Sequence, residues 1–281
     1  MCVELLALVE LLAVAPARGA PVIAAAGDIA RGGSPSRHQR RTARLVRSIG
    51  PTAVLTLGDN QYPDGALADF RSSYDPTWGR FENITHPVPG NHEYLIHGAA
   101  GYFRYFGRRA HPRRGGYYSF DLGDWHLLAL NSGRGSIGPR QLAWVRRDLR
   151  RDHAACELAY WHHPRWSSGA EGSDPDIGPL WRLLVRQGVD VVLNGHRHHY
   201  ERFAPLSRGG RVDPRRGIRE FVVGTGGASL SGFGEPARGS QKRIADVFGV
   251  LRLRLRTHGY DWAFLGTNGV ARDRGRHGCH P

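Results

Sequence analysis

Short apolar runs recur along the chain, and several stop at a glycine followed by a polar side chain. Residues 21–26, 52–57 and 189–193 are runs of this kind. They are too short for a stable helix and too continuous for a strand with one wet face, so they predict strands buried on both sides. Residues 156–161 and 221–223 read the same way. Between these runs the period changes. Ala43, Val46 and Ile49 recur at helical spacing around 37–48, and Leu142, Val145 and Leu149 do so after Pro139. A third helix is expected over 179–187. Residues 117–122 and 125–130 flank Gly123-Asp124 and predict a hairpin. Leu251, Leu253 and Leu255 alternate with Arg252, Arg254 and Arg256, the pattern of a half-buried strand with a basic outer face. Thr257-His258-Gly259 turns it back into a partner at 260–265. The aromatic stretch 101–107 is expected as a loop packed on the core. Strands alternating with helices predict an α/β fold.

Composition narrows this picture. The 281 residues, with 38 Gly and a charged fraction of 23%, suit a folded, loop-rich protein of one or two domains. No repeat or linker divides the chain, so one domain is expected over 21–270, with a loose tail at 271–281. Residues 1–20 read as a leader: 5–15 are largely apolar, and small residues at 15–20 would end the segment. Glu4, Glu10 and the lack of an early positive charge oppose that reading. A leader implies a secreted or cell-envelope protein; without one the chain would be cytoplasmic. No other stretch has the length of a membrane span.

The net charge of +14 suits an anionic partner. Yet Lys242 is the sole lysine, and so one-sided a preference for Arg is more simply a coding bias than a nucleic-acid face. Nucleic acid is therefore the lesser alternative to a small anionic substrate. Cys2, Cys156 and Cys279 contain no CxxC spacing, which excludes a thioredoxin motif or a cysteine zinc site. Cys156 and Cys279 either pair, fastening the tail to a central strand, or stay as free thiols.

The ends of the buried runs carry the chemistry. Gly27-Asp28, Gly58-Asp59, Gly90-Asn91-His92-Glu93, His162-His163-Pro164 and Gly195-His196-Arg197-His198 each follow a strand. One such Asp is ordinarily a turn former, and one such His pair a polar loop. Their recurrence at strand ends, where α/β sheets bind ligands, points instead to a common site. Nitrogen and oxygen donors suit zinc, manganese or iron. Six or seven donors are too many for one tetrahedral zinc but suit two ions, with a carboxylate such as Asp59 between them.

With these blocks in this order, the chain resembles the calcineurin-like metallophosphoesterases over residues 21–205. Within them it is similar to the purple acid phosphatases, in a small form carrying the catalytic domain only. Ala30 stands two residues after Asp28, where the wider family has a histidine, and Tyr62 stands three residues after Asp59, where the purple branch has a tyrosine. The phrase at 195–202 is also similar to that branch, which usually carries Gly at the position of Ala30. The resemblance implies a four-layer α/β/β/α sandwich and two adjacent metal ions. Metal one would take Asp28, Tyr62 and His198 and be Fe(III). Metal two would take Asn91, His162 and His196 and be Fe(II), Zn or Mn. Asp59 would bridge. Metal-bound hydroxide would attack phosphorus while His92 protonates the leaving oxygen or binds the phosphate. Glu93 would orient His92, and His163 would pack behind the ligands. His199, His38, His111 and His277 are expected at the surface. The implied activity is that of a phosphomonoesterase of acid phosphatase type acting on a small phosphate ester. The alternatives are a phosphodiesterase or nuclease, and a binding module without turnover.

Overall fold

Each buried run becomes a strand whose end lies in one shared cleft. A computed structural model describes residues 19–111, 115–134 and 137–280. Cys2 and all but the last two residues of the expected leader lie outside them. Strands β1 (Val22–Ala26), β2 (Ala53–Leu57) and β3 (Thr85–Val88) pair in parallel. Helix α1 (Arg37–Ile49) connects the first two. It opens on a Ser36–Gln39 capping box and stops at Gly50, whose left-handed φ of 59° ends the helix. A short helix α2 (Leu67–Asp69) and helix α3 (Ala100–Phe106) lie on either side of β3 in the chain. The expected hairpin is β4 (Tyr118–Leu122) with β5 (Trp125–Ala129). Then come α4 (Pro139–Leu149), β6 (Cys156–Tyr160), α5 (Gly178–Gln187) and β7 (Val191–Asn194). The remaining strands are β8 (Tyr200–Phe203), β9 (Arg219–Val223), β10 (Ser240–Ile244), β11 (Gly249–Arg256), β12 (Gly259–Gly266) and β13 (Ala271–Gly278).

Two sheets result, ordered β13-β12-β11-β1-β2-β3 and β10-β8-β9-β7-β6-β5-β4. They pack face to face through aromatic side chains: Trp125 on Tyr260, Tyr200 on Phe264 and Phe221 on Trp262, with ring centroids 5.8, 4.1 and 5.7 Å apart. Outside the first sheet, α1 buries Thr42, Ala43, Leu45 and Val46. Outside the second, Val145 and Leu149 of α4 and Leu180, Trp181 and Leu184 of α5 pack on Leu128, Ala159 and Val192. This is the expected four-layer α/β/β/α sandwich.

The structure corrects several expectations. The tail is no loose end: residues 271–278 form the edge strand β13, paired antiparallel with β12. Its outer positions are arginines, and its inward Asp273 accepts hydrogen bonds from Tyr200 Oη, Arg202 Nε and Trp262 Nε1 at 2.7, 2.7 and 3.2 Å. Cys156 and Cys279 do pair, with Cα atoms 5.6 Å apart. Residues 100–106 are helical rather than looped, because Tyr102 and Phe106 turn to the core together. His199 is fully buried against Phe233, not exposed.

Candidate metal centre

The donors are aimed by unusual backbone. Asp28, Asp59 and His196 each adopt positive φ, at 59°, 46° and 68°. For a residue with a Cβ this costs about 1–3 kcal/mol, and it persists only where the surroundings enforce it. Here each donor braces the next. Asp28 Oδ2 accepts the backbone N–H of His196 at 2.9 Å, and Asp59 Oδ1 accepts that of His92 at 2.9 Å. Close approach also needs glycine: a Cβ on Gly58 would lie 2.5 Å from His162 Nδ1.

Two groups of side chains meet here, and each draws on both sheets. In the first, Tyr62 Oη lies 2.9 Å from Asp28 Oδ1, 3.0 Å from Asp59 Oδ2 and 2.9 Å from His198 Nε2. His198 Nε2 is 3.1 Å from Asp28 Oδ1. In the second, His162 Nε2 lies 3.1 Å from Asn91 Oδ1 and 3.2 Å from Asp59 Oδ2. The His196 ring stands 5.0 Å from that of His162. Asp59 Oδ2 belongs to both groups. All seven residues expected as ligands are therefore brought together.

Outer contacts set the rings. His162 Nδ1 donates to the Leu57 carbonyl at 2.8 Å, which turns Nε2 to the cleft, and His198 Nδ1 meets Ser229 Oγ at 2.6 Å. Burial alone would raise the Asp59 carboxyl, but His162 and His92 hold it well below the usual range. Burial alone would lower His162, but Asp59 and Asp28 push it up to about 9. Burial, Asp28 and Asp59 push the Tyr62 phenol well above its ordinary value. Tyr62 has one proton for two carboxylates, and His162 is drawn into carrying a second. The cleft thus calls for positive charge at the point where its oxygens and nitrogens converge, and the donor set fits metal ions.

Around this core, His92 is partly exposed, its ring 4.2 Å from that of Tyr62 and its Nε2 3.9 Å from Asp59 Oδ2. Its Nδ1 rests on the Pro63 carbonyl, so Pro63, not Glu93, orients it. Glu93 instead accepts the backbone N–H groups of Gly90 and Gln61 at 2.6 and 3.1 Å, tying the β2 and β3 exit loops together. His163 is closer to the cleft than expected, its ring 4.4 Å from His196. Buried Ser132 Oγ accepts the His163 backbone N–H at 3.1 Å and lies 3.0 Å from His163 Nδ1. The Ser132 hydroxyl can donate to Nδ1, the arrangement that leaves the hydrogen of the neutral ring on Nε2. The loop that follows is clamped by Glu220, which accepts Arg165 and Trp166 N–H at 2.8 and 3.0 Å, and by Glu201, which accepts Ser168 N–H at 2.8 Å.

The family model described as calcineurin-like phosphoesterase matches residues 7–200. The chain belongs to the calcineurin-like phosphoesterase family. Among its relatives, the Mycobacterium tuberculosis protein Rv2577 is 30% identical over 66% of this chain and 44% of that protein. Purple acid phosphatase 15 of Arabidopsis thaliana is 32% identical over 54% of this chain and 36% of its own length. The calcineurin-like phosphoesterase chain thus spans less than half of these relatives. Among solved structures, the purple acid phosphatase PPD1 from yellow lupin seeds superposes with a TM-score of 0.71 at 19% identity, over 92% of this chain and 54% of that one. GAP50, the anchor in the inner membrane complex of Plasmodium, superposes at 0.68 with 15% identity, over 94% and 90%. Both have the same fold.

Sequence reading missed Ser132, Ser229 and Glu220, because nothing in their neighbourhoods marks them, and it gave Glu201 no role although it stands in the phrase at 195–202. Glu93 was visible as a carboxylate beside His92, but adjacency in sequence suggested the wrong partner.

Proposed function

We propose that the chain hydrolyses phosphate monoesters with two metal ions held side by side. The observation that carries this is Asp59 Oδ2, which lies between Tyr62 Oη at 3.0 Å and His162 Nε2 at 3.2 Å and so joins the two donor groups. Asp28, Tyr62 and His198 would hold one ion, and Asn91, His162 and His196 the other. A phenolate is a hard anionic donor, so the tyrosine position suits Fe(III) and the second suits Fe(II), Zn or Mn. When bound, such ions neutralise phosphoryl oxygens and acidify water near neutral pH.

The remaining work falls to the chain's own residues. His92 keeps Nδ1–H on the Pro63 carbonyl, so in its imidazolium form the Nε2–H would deliver a proton to the leaving oxygen and leave the ring neutral. With the Ser132 hydroxyl donating to Nδ1, His163 would present Nε2–H to a phosphoryl oxygen. The disulfide between Cys156 and Cys279 supports an exported protein, since such bonds persist in oxidising compartments. No helix among the described residues is long and apolar enough to cross a membrane.

The test is the ratio of kcat/KM for an aryl phosphomonoester to that for its bis-aryl diester, after reconstitution with iron plus zinc or manganese. A monoester preference with an acidic optimum is expected. A diester preference would assign the same site to nucleotides or nucleic acid.

A further inference from the structure

A groove of about 1310 Å³ lies at the far end of the sheets from the metal centre, where β7 and β9 begin rather than end. The end of α5, the β8–β9 connection and the end of β13 form its walls. Arg186, Arg208, Arg211, Arg215 and Arg216 line it, all exposed and none of them in an ion pair among the described residues. Asp213, which alone among the described lining residues carries a carboxylate, accepts the backbone N–H groups of Arg215 and Arg216 at 3.2 and 3.1 Å and so is turned to the loop itself. Arginine is common throughout this chain, so number alone would mean little. The walls, however, are pinned. Trp181 Nε1 donates to the Ser207 carbonyl at 3.0 Å, and Gly217 N–H donates to the Asp213 carbonyl at 2.9 Å. His280 ring nitrogens lie 2.8 and 3.1 Å from the Gly188 and Gly217 carbonyls, beside the disulfide at Cys279. Fixed backbone with free guanidinium groups is a built concentration of positive charge that favours an anion.

The kind of anion follows from the lining. A single phosphate is met by one or two guanidinium groups, whereas five arginines along a groove suit a row of phosphates. No Phe, Tyr or Trp belongs to the lining, and of its two rings, His277 and His280, the latter is held by both nitrogens to backbone carbonyls, so bases would find little surface on which to stack. We infer that this groove binds a linear chain of phosphates through the phosphates alone, remote from the metal centre. Inorganic polyphosphate and the backbone of single-stranded nucleic acid both offer that chemistry.

The experiment compares two variants of the intact chain that lose equal charge. One is R208S/R211S/R215S/R216S, in the groove. The other is R252S/R254S/R274S/R276S, on the exposed face of β11 and β13. Binding of fluorescent polyphosphate, and separately of oligo-dT of matched phosphate number, is followed by anisotropy at several salt concentrations. The groove variant should lose at least about tenfold in affinity, and its salt slope should fall by about 3, while the face variant stays within about threefold. Both variants should keep wild-type turnover of a small aryl phosphate. Equal losses in the two variants, or no binding by the wild type at low salt, would overturn the site. Oligo-dT binding far tighter than polyphosphate would overturn recognition through phosphates alone. Should the groove variant misfold, phenylglyoxal modification of the wild type decides: polyphosphate must shield Arg208, Arg211, Arg215 and Arg216 and leave Arg252 and Arg254 reactive.

Discussion

Asp59 is the residue on which the two donor groups meet, and the residues on either side of it make distinct predictions. Tyr62→Phe removes the phenol that meets Asp28, Asp59 and His198. Iron-reconstituted protein should lose its visible absorption while its circular dichroism stays unchanged; a coloured variant would show that the tyrosinate is elsewhere. His196→Ala should lower metal content from two ions per chain towards one and cut kcat by more than about 100-fold, checked by elemental analysis beside turnover. Wild-type activity in that variant would refute the ligand assignment. His163→Asn removes the donor proposed to meet substrate in ground state and transition state alike. It should raise KM about tenfold with kcat little changed. A fall in kcat alone would make His163 a support for the ligands instead.

At the scale of elements, two fastenings lie away from the cleft. On β5, His126 sits between Asp121 of β4 at 2.7 Å, Asp148 of α4 at 3.0 Å and Asp152 at 3.7 Å. Burial alone would lower it, but the hydrogen bonds that it donates to Asp148 and Asp121 raise it from 6.5 to about 9. A histidine more basic in the folded chain stabilises the fold fully below its unfolded value near 6.5, and that contribution disappears as pH rises through about 9. The urea midpoint should therefore fall between pH 7 and 10, and His126→Gln, costing about 1–2 kcal/mol at pH 6, should flatten that fall. An unchanged slope in the variant would mean that other groups govern it. The second fastening is the disulfide, which closes a sequence separation of 123 residues. Cys156→Ser with Cys279→Ser should lower stability by about 2–5 kcal/mol, visible as a lower Tm that reductant no longer changes.

At the scale of the whole molecule, the sandwich and the donor set were legible for one reason. Strands buried on both faces must be written as unbroken apolar runs, and β1, β2, β6 and β7 are followed at once by Asp28, Asp59, His162 and His196. Edge strands carry no such constraint. β13 alternates exposed Arg272, Arg274 and Arg276 with an inward Asp273, and β10 is equally polar, so neither is visible as hydrophobic pattern. The partners of the fully buried Glu93, Glu201 and Glu220 were hidden for a related reason: a carboxylate satisfied by backbone N–H groups of distant loops is written like any surface carboxylate.

The mixed origin of the donors has a mechanical side. Asp28, Asp59, Tyr62 and Asn91 hang from one sheet, and His162, His196 and His198 from the other. Ions seated among them would rivet the two layers at one end of the molecule, while the cystine and the groove occupy the opposite end. Chelation should then loosen more than the cleft. Tm should drop with EDTA, and amide exchange should quicken at the outgoing ends of β2, β3 and β6 in a single cooperative step. The fold would come unclasped from its working edge inward.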